Sequence, residues 1–338
     1  MARQFDRAAE DLGNIVALEH VNVQVEDQRP ATLYYISALG LTRDPYMMTS
    51  IDNMWANVGR SQFHLPTGAP QVLRGKIGLV TPDRDLLLKR CDRVSKSLAG
   101  TKFAFKEKNG YVETTCPWGN TIRMHDPVEN MELGMAYVEF DVPAGTAKGI
   151  ADFYAETFDA LTSVKDGAAH IAAGQNQELI FRETAGALPA YDGHHIQVYV
   201  ANFSKPHDRL VERGLLTEES NRYQYRFQDI VDPKSGKKLF EIEHEIRSMT
   251  HPMFARPLLN RNPVQTNRTY VPGRDGWTPT ALAEEMPGRI GTPARARCSL
   301  AWAMVNSPKW KIEAASTAEA PPLVTPSSRW SSVPTPPE

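Results

Sequence analysis

The chain lacks the features that would place it in several common classes of protein. It has only three cysteines in 338 residues, at Cys91, Cys116 and Cys298, and no Cys-x-x-Cys pair. A disulfide framework and a structural zinc site are therefore not expected. Its formal net charge of −2 gives no field that would attract nucleic acid or an anionic membrane. No apolar run is long enough to span a bilayer.

Signals for targeting and for several reaction types are missing too. The first seven residues, Met-Ala-Arg-Gln-Phe-Asp-Arg, lack the apolar core of a signal peptide. There is no Gly-rich phosphate loop, no P-loop and no Ser-His-Asp elbow. We therefore expect a cytoplasmic protein that acts on a small molecule, with no nucleic-acid or membrane partner. A homodimer is the one oligomeric state that we consider possible. Hydrophobic residues make up 41% of the chain, which is enough for packed cores in two domains.

The sequence does contain a unit that recurs four times. Each unit opens with a strand of alternating apolar and polar residues, continues with a helix and ends with short strands. The four opening strands carry His20, Lys76, Tyr137 and His195 on their polar faces. We expect a flexible N-terminus over 1–14, one pair of units over 15–130, a second pair over 134–248, and an extended, partly disordered tail over 249–338.

The last unit closes with an unusual strand. A turn, Asp-Pro-Lys-Ser-Gly, leads into a segment in which Glu241, Glu243 and Glu245 lie on one face and apolar residues lie on the other. Three carboxylates on one strand face repel each other. Water, basic groups or a cation must therefore compensate them.

Four sequence motifs follow one another along the chain. They are Leu18-Glu19-His20-Val21, Tyr34-Tyr35 through Leu39-Gly40-Leu41, Pro117-Trp118-Gly119-Asn120-Thr121-Ile122, and Asp232-Pro233 through Phe240-Glu241-Ile242. In this order the chain, over roughly residues 15–248, resembles the vicinal oxygen chelate superfamily, which includes glyoxalase I and extradiol dioxygenases. The resemblance implies an α+β fold of two tandem domains, each a pair of βαβββ modules around a divalent metal, followed here by an irregular tail.

The resemblance also implies a set of metal ligands. The family uses a His on the opening strand of one module, a His on the opening strand of the next, and a Glu on the last strand. In the first pair His20 has the first place, but Lys76 and Arg123 have the other two. Two cations cannot complete a divalent site, so the first pair is expected to be metal-free.

The second pair matches the pattern better. His195 has the place of the second His, Glu241 has that of the Glu, and Tyr137 stands where the first His belongs. A one-residue insertion in the turn leaves Glu243 as a rival of Glu241. We therefore predict that His195, Glu241 and Tyr137 are the catalytic residues and the ligands of Fe2+, Mn2+ or Zn2+, with Glu139 as a further oxygen donor.

Other polar residues are candidates for substrate contacts. They are Glu139, Gln197 and Tyr199 in the second pair, and His20 and His64 in the first. Structural explanations compete with each site role: His195 as a hydrogen-bonded strand histidine, Glu241 as part of a solvated acidic face, and Tyr137 as a packed aromatic.

Three functions follow from these expectations. The first is a metal-dependent enzyme that acts on a catechol- or enediol-like molecule, as a dioxygenase or as a lyase or isomerase of the glyoxalase type. The second is a metal-free protein that binds a small molecule in the same cleft. The third is a metal-independent isomerase or cyclase in which Glu241 and His195 form the acid–base pair.

Overall fold

The computed structural model describes residues 6–44, 47, 52–256 and 258. Four consecutive units of strand, helix and three strands occupy most of this part, which confirms the predicted repeat. A short 3-10 turn (Arg7–Glu10) precedes the first unit. Most of the predicted tail lies outside the described residues. None of the described helices is long and apolar enough to cross a lipid bilayer.

The first two units contain strands β1 to β8. Unit 1 consists of β1 (Ile15–Asn22), α1 (Gln28–Ala31), which continues as a π-helical segment (Thr32–Ala38), β2 (Thr42–Arg43), β3 (Asn53–Val58) and β4 (Ser61–Pro66). Unit 2 consists of β5 (Gly75–Val80), α2 (Arg84–Ser95), β6 (Ala104–Lys108), β7 (Tyr111–Thr115) and β8 (Thr121–His125).

The last two units contain strands β9 to β16. Unit 3 consists of β9 (Gly134–Pro143), α3 (Ala147–Phe158), β10 (Thr162–Lys165), β11 (Ala168–Ala172) and β12 (Glu178–Thr184). Unit 4 consists of β13 (His195–Val200), α4 (Ser204–Glu212), β14 (Leu216–Asn221), β15 (Gln224–Val231) and β16 (Lys238–Ser248).

Helix α2 forms where the sequence supplies both a cap and an apolar stripe. Asp83 accepts a hydrogen bond from the backbone N–H of Leu86 at 2.8 Å and so begins α2. Leu87, Cys91 and Val94 then recur at helical spacing and are buried. The helix packs against the π-helical segment of unit 1, and α3 packs against α4. These contacts leave the opposite faces of the sheets for polar side chains.

The strands form two sheets of eight. Their orders are β14-β15-β16-β13-β1-β4-β3-β2 and β10-β11-β12-β9-β5-β8-β7-β6. Unit 1 is thus joined to unit 4, through antiparallel β1 and β13, and unit 2 is joined to unit 3, through antiparallel β5 and β9. The order of the units in the sequence predicts that unit 1 pairs with unit 2 and unit 3 with unit 4. For the sheets this prediction is wrong.

A change of register in β1 affects the polar face of the first sheet. The pairing of β1 with β13 shifts between Leu18 and His20, which leaves Glu19 as an extra residue. Such a bulge breaks the alternation of a strand and redirects a side chain. Glu19 and its neighbour His20 consequently both contact residues of the same polar network.

Candidate metal centre

Four neighbouring strands of the first sheet, β4, β1, β13 and β16, place polar residues side by side across the sheet. Because β1 pairs with both β4 and β13, and β13 pairs with β16, residues far apart in the chain stand side by side. Two adjacent rows result: Gln62, His20, Gln197 and Glu245 in one, and His64, Asn22, His195 and Glu243 in the next.

Three of these side chains form a compact cluster. His20, His195 and Glu245 each offer a ligand atom, and these atoms all lie within 4.8 Å of one another. The three residues are only 1%, 9% and 3% exposed, and the two imidazole rings are 5.7 Å apart. Both ring nitrogens of His20 are buried without a hydrogen-bond partner in the described part of the chain. Buried polar atoms normally have partners, so this arrangement is typical of a binding site.

The imidazoles of the cluster are neutral at neutral pH. Burial lowers the pKa of His20 well below its usual value, and Arg247 and His64 lower it further. Burial also lowers the pKa of His195 well below its usual value, and His20 and Arg226 lower it further. A neutral imidazole has a lone pair available, which is the form that binds a metal ion.

A third histidine lies next to the cluster. The ring of His64 is 6.0 Å from that of His20 and is stacked on Trp55 at 3.9 Å. Burial, with smaller contributions from Arg247 and Arg226, lowers the pKa of His64 to about 4. Its Nε2 atom is buried and has no hydrogen-bond partner among the described residues.

Two arginines compensate the carboxylates of β16. Arg226 donates to Glu245 Oε2 at 2.5 Å and also binds Glu243. Arg247 lies 2.5 Å from Glu245 Oε1 and donates to Glu19 Oε2 at 2.9 Å. Burial raises the pKa of Glu245 even though both arginines act to lower it. The two arginines therefore compensate the negative charges on this strand face, and their contacts orient the carboxylate of Glu245.

No family model and no curated protein sequence matches the chain. Solved structures do match it. A candidate dioxygenase from Bacillus subtilis aligns with a TM-score of 0.50 at 15% identity, over 70% of this chain and 86% of that chain. Glyoxalase I from Zea mays aligns with a TM-score of 0.49 at 13% identity, over 69% and 92% of the two chains. The 2,3-dioxygenase LapB from Pseudomonas sp. KL28 has a TM-score of 0.27 at 11% identity, over 76% and 97%.

The chain has the vicinal oxygen chelate fold. Identities this low establish the fold alone, so the function must be argued from the site. In the vicinal oxygen chelate fold, the expected ligands are a His from each of two paired opening strands and a Glu from a last strand. With unit 1 paired to unit 4, His20, His195 and Glu245 occupy these three places.

Glu245 replaces Glu241 at the carboxylate position. Glu241 lies on β16 four residues before Glu245, and its side chain is 28% exposed. It binds Lys238 at 2.5 Å and approaches Arg74 at 4.0 Å. In the described chain it therefore belongs to a surface ion pair. The Asp-Pro turn motif predicts Glu241 for this position, whereas the strand register favours Glu245, four residues later.

Tyr137 and Glu139 lie on β9 in the sheet that does not contain His195, and the contacts described for them are to residues of that second sheet. The hydroxyl of Tyr137 is 3.0 Å from His125 Nε2. Glu139 binds Lys76 at 2.5 Å and Arg182 at 2.9 Å. The prediction that Tyr137 is a ligand fails because it assumed that unit 3 pairs with unit 4.

The remaining predicted contacts do meet in the first sheet. Gln197, which is fully buried, stands between His20 and Glu245, and neither of its amide atoms has a partner among the described residues. Tyr199 donates to Glu19 at 3.1 Å. Arg226 was not predicted. Its signal was available in the alternation of Gln224, Arg226 and Gln228 along β15, which gives that strand a polar face.

The residues of this cleft fit a divalent cation. Two imidazoles and one carboxylate are a common ligand set for iron, manganese and zinc, and three protein ligands leave positions open for water or substrate. Among the described residues no other group of histidine, cysteine and carboxylate side chains is close enough to hold an ion. The second sheet instead has ion pairs at the equivalent places, including Lys76 with Glu139 and Arg123 with Glu113.

Proposed function

We propose that the protein is a metal-dependent enzyme that acts on a small molecule with two adjacent oxygen atoms, such as a catechol or an enediol. The observation that carries the proposal is the buried cluster of His20, His195 and Glu245, in which the ligand atoms lie within 4.8 Å of one another. Fe2+, Mn2+ and Zn2+ are the candidate ions. When bound, such an ion supplies Lewis acidity, or an oxygen-binding centre if it is iron.

The protein contributes a preorganised set of ligands. Burial keeps His20 and His195 neutral, so neither must lose a proton before it binds an ion. Arg226 donates a hydrogen bond to one oxygen of Glu245 and Arg247 forms an ion pair with the other, which limits the rotation of the carboxylate. Groups that orient ligands in this way typically change metal affinity by about 10- to 100-fold when they are removed.

Two further side chains are placed to orient a substrate. The unpartnered amide of Gln197 offers an NH2 donor group and a carbonyl acceptor beside the cluster. His64 offers its unpartnered Nε2 atom at the edge of the cluster, with its ring held by Trp55. A bound molecule with two vicinal oxygens would give these buried groups the hydrogen bonds that they lack.

Metal binding is the direct test. Purified protein is stripped with a chelator and titrated with Mn2+, Fe2+ and Zn2+ by calorimetry. The wild type is expected to bind one equivalent, and the His20→Ala, His195→Ala and Glu245→Gln variants are expected to bind more than about 100-fold more weakly, since they lose a ligand itself. Glu241→Gln is the matched control on the same strand and is expected to bind like the wild type.

Two results would contradict the proposal. One is wild-type affinity in His20→Ala, and the other is a loss of affinity in Glu241→Gln that equals the loss in Glu245→Gln. Oxygen consumption with a panel of catechols, and isomerisation of a hemithioacetal, then separate the dioxygenase and glyoxalase types. Saturable binding of these compounds without any metal would point to the metal-free functions considered above.

A further inference from the structure

Two cavities are described, and one of them borders residues of the polar network around the candidate metal centre. One is an open surface groove with a volume of about 990 Å³. The other is more enclosed, has a volume of about 630 Å³ and borders Glu19 and Tyr199, although none of the three cluster residues lines it. The larger groove lies by Asp27 and Trp118 and contacts none of the cluster residues. The smaller one is in the size range of pockets that bind small organic molecules.

The cavity is closed on one side by the segment that follows β16, residues 249–256, here called the closing segment. Phe254 places its ring edge-on against Tyr199, with 4.8 Å between the ring centroids. Arg256 donates to Asp44 Oδ2 at 2.7 Å, and Asp44 is fully buried. The closing segment is thus fixed to unit 4 at one point and to unit 1 at another.

The walls of the cavity are mainly apolar, and its charges balance. Met131, Met135, Phe254 and Leu258 contribute apolar surface. Its charged lining residues are two acids and two bases, namely Glu19, Glu132, Arg60 and Arg256. A cavity with no excess of either sign favours an uncharged ligand, because an ion would lose its hydration without gaining a net counter-charge.

One end of the cavity is polar, and a chain of side-chain contacts runs from it to the carboxylate of the cluster. Tyr199 donates to Glu19 at 3.1 Å, and both residues line the cavity. Glu19 accepts from Arg247 at 2.9 Å, and Arg247 contacts Glu245 at 2.5 Å. A single arginine therefore separates the cavity from the carboxylate of the cluster.

We propose that this cavity binds an uncharged molecule with an apolar or aromatic body, whose hydroxyl group meets Tyr199 and Glu19. The inference rests on the proposed function in one respect, which is that the ligand belongs to the same class of hydroxylated small molecules as the substrate of the metal centre. The closing segment forms the outer wall of the pocket, so substitutions in its lining residues change affinity for the ligand without changing the ligands of the metal.

The test uses 2-naphthol, a neutral fluorescent aromatic with one hydroxyl group, and the full-length protein in the presence of Zn2+. Binding of 2-naphthol is expected to be saturable. Naphthalene and 2-naphthoate are expected to bind about three- to tenfold more weakly, since one lacks the hydrogen bond and the other carries a charge. In Tyr199→Phe the preference for 2-naphthol over naphthalene is expected to decrease, because one of the two groups that meet the hydroxyl is lost.

Met131→Trp fills the cavity and is expected to abolish binding, whereas Met253→Trp makes the same change at a residue of the closing segment that does not line the cavity. A thermal melt confirms that each variant is folded. Phe254→Ala, which removes part of the wall, is expected to weaken binding and decides the matter if Met131→Trp does not fold.

Wild-type binding in Met131→Trp or in Phe254→Ala, tighter binding of 2-naphthoate, or the lack of saturable binding would overturn the inference. The His20→Ala variant separates it from the proposed function. If that variant loses Zn2+ but keeps 2-naphthol, the cavity is a binding pocket in its own right. If the wild type binds Zn2+ at the cluster but no 2-naphthol, the pocket fails and the metal centre stands.

Discussion

His244 should make the stability of this protein depend steeply on pH below neutrality. It lies on β16 on the face opposite to the cluster and is 1% exposed. Its Nδ1–H donates to the carbonyl of Ile242 at 2.7 Å, and its Nε2 accepts from the hydroxyl of Tyr154. Its ring is stacked on Phe227 at 4.2 Å. These contacts suit a neutral imidazole, and burial lowers its pKa to about 3.

The size of the effect follows from linkage. The pKa of His244 in the folded protein lies below the value of about 6.5 that it has when unfolded. Its contribution is therefore complete above pH about 6.5 and is lost as the pH falls toward 3, because the unfolded chain takes up a proton first. Relative to pH 7, the loss in free energy of unfolding is about 0.7 kcal/mol at pH 6 and about 1.9 kcal/mol at pH 5.

Denaturant titrations at pH 7, 6 and 5 test this reasoning. The wild type should lose about 1.9 kcal/mol more than His244→Phe between pH 7 and pH 5, since the other buried histidines titrate equally in both proteins. Tyr154→Phe is the control. It removes a hydrogen bond but keeps the titrating ring, so it should be less stable at every pH with the slope of the wild type. Equal slopes in the wild type and in His244→Phe would refute the argument.

Two further predictions concern each sheet in turn. Arg226→Met leaves a buried carboxylate of Glu245 short of one partner and should lower the free energy of unfolding by about 3 kcal/mol, whereas Arg213→Met breaks an exposed pair and should change it by less than about 1 kcal/mol in the same denaturant titration. Gly78→Ala should cost about 1–3 kcal/mol, because a Cβ atom at that position would lie 2.1 Å from the ring of Tyr137. A thermal melt measures this loss, and an unchanged midpoint would contradict the close packing of that ring.

The repeat was predictable from the sequence because it depends on local patterns. Alternation marks each opening strand, and the stripe of Leu87, Cys91 and Val94 marks a helix. The pairing of the units was not predictable in this way. All four opening strands have an apolar face for a helix, so their patterns do not distinguish neighbours in the sequence from neighbours in the sheet. What decides is the pairing of β1 with β13, which is a contact between distant parts of the chain.

The candidate site was predictable in part for the same reason. His20 and His195 were both identified from the sequence, but they were assigned to different clefts. The alternation of β16 predicts that Glu245 lies on an acidic face, but the turn motif predicts Glu241 as the metal ligand. The choice between these carboxylates depends on strand register and burial, because β13 sets Gln197 against Glu245 and the arginines come from β15 and β16. Local sequence does not contain that information.

The pairing of unit 1 with unit 4 has a consequence for synthesis. On the ribosome, β1 emerges about 170 residues before the strand that covers its open edge, a delay of roughly 10–30 s at ordinary rates of translation. All strands of the second sheet, which units 2 and 3 form, are synthesised before β13. A truncated product that ends before β13 would therefore keep one finished sheet and expose an unpaired edge of the other, which is a template for aggregation.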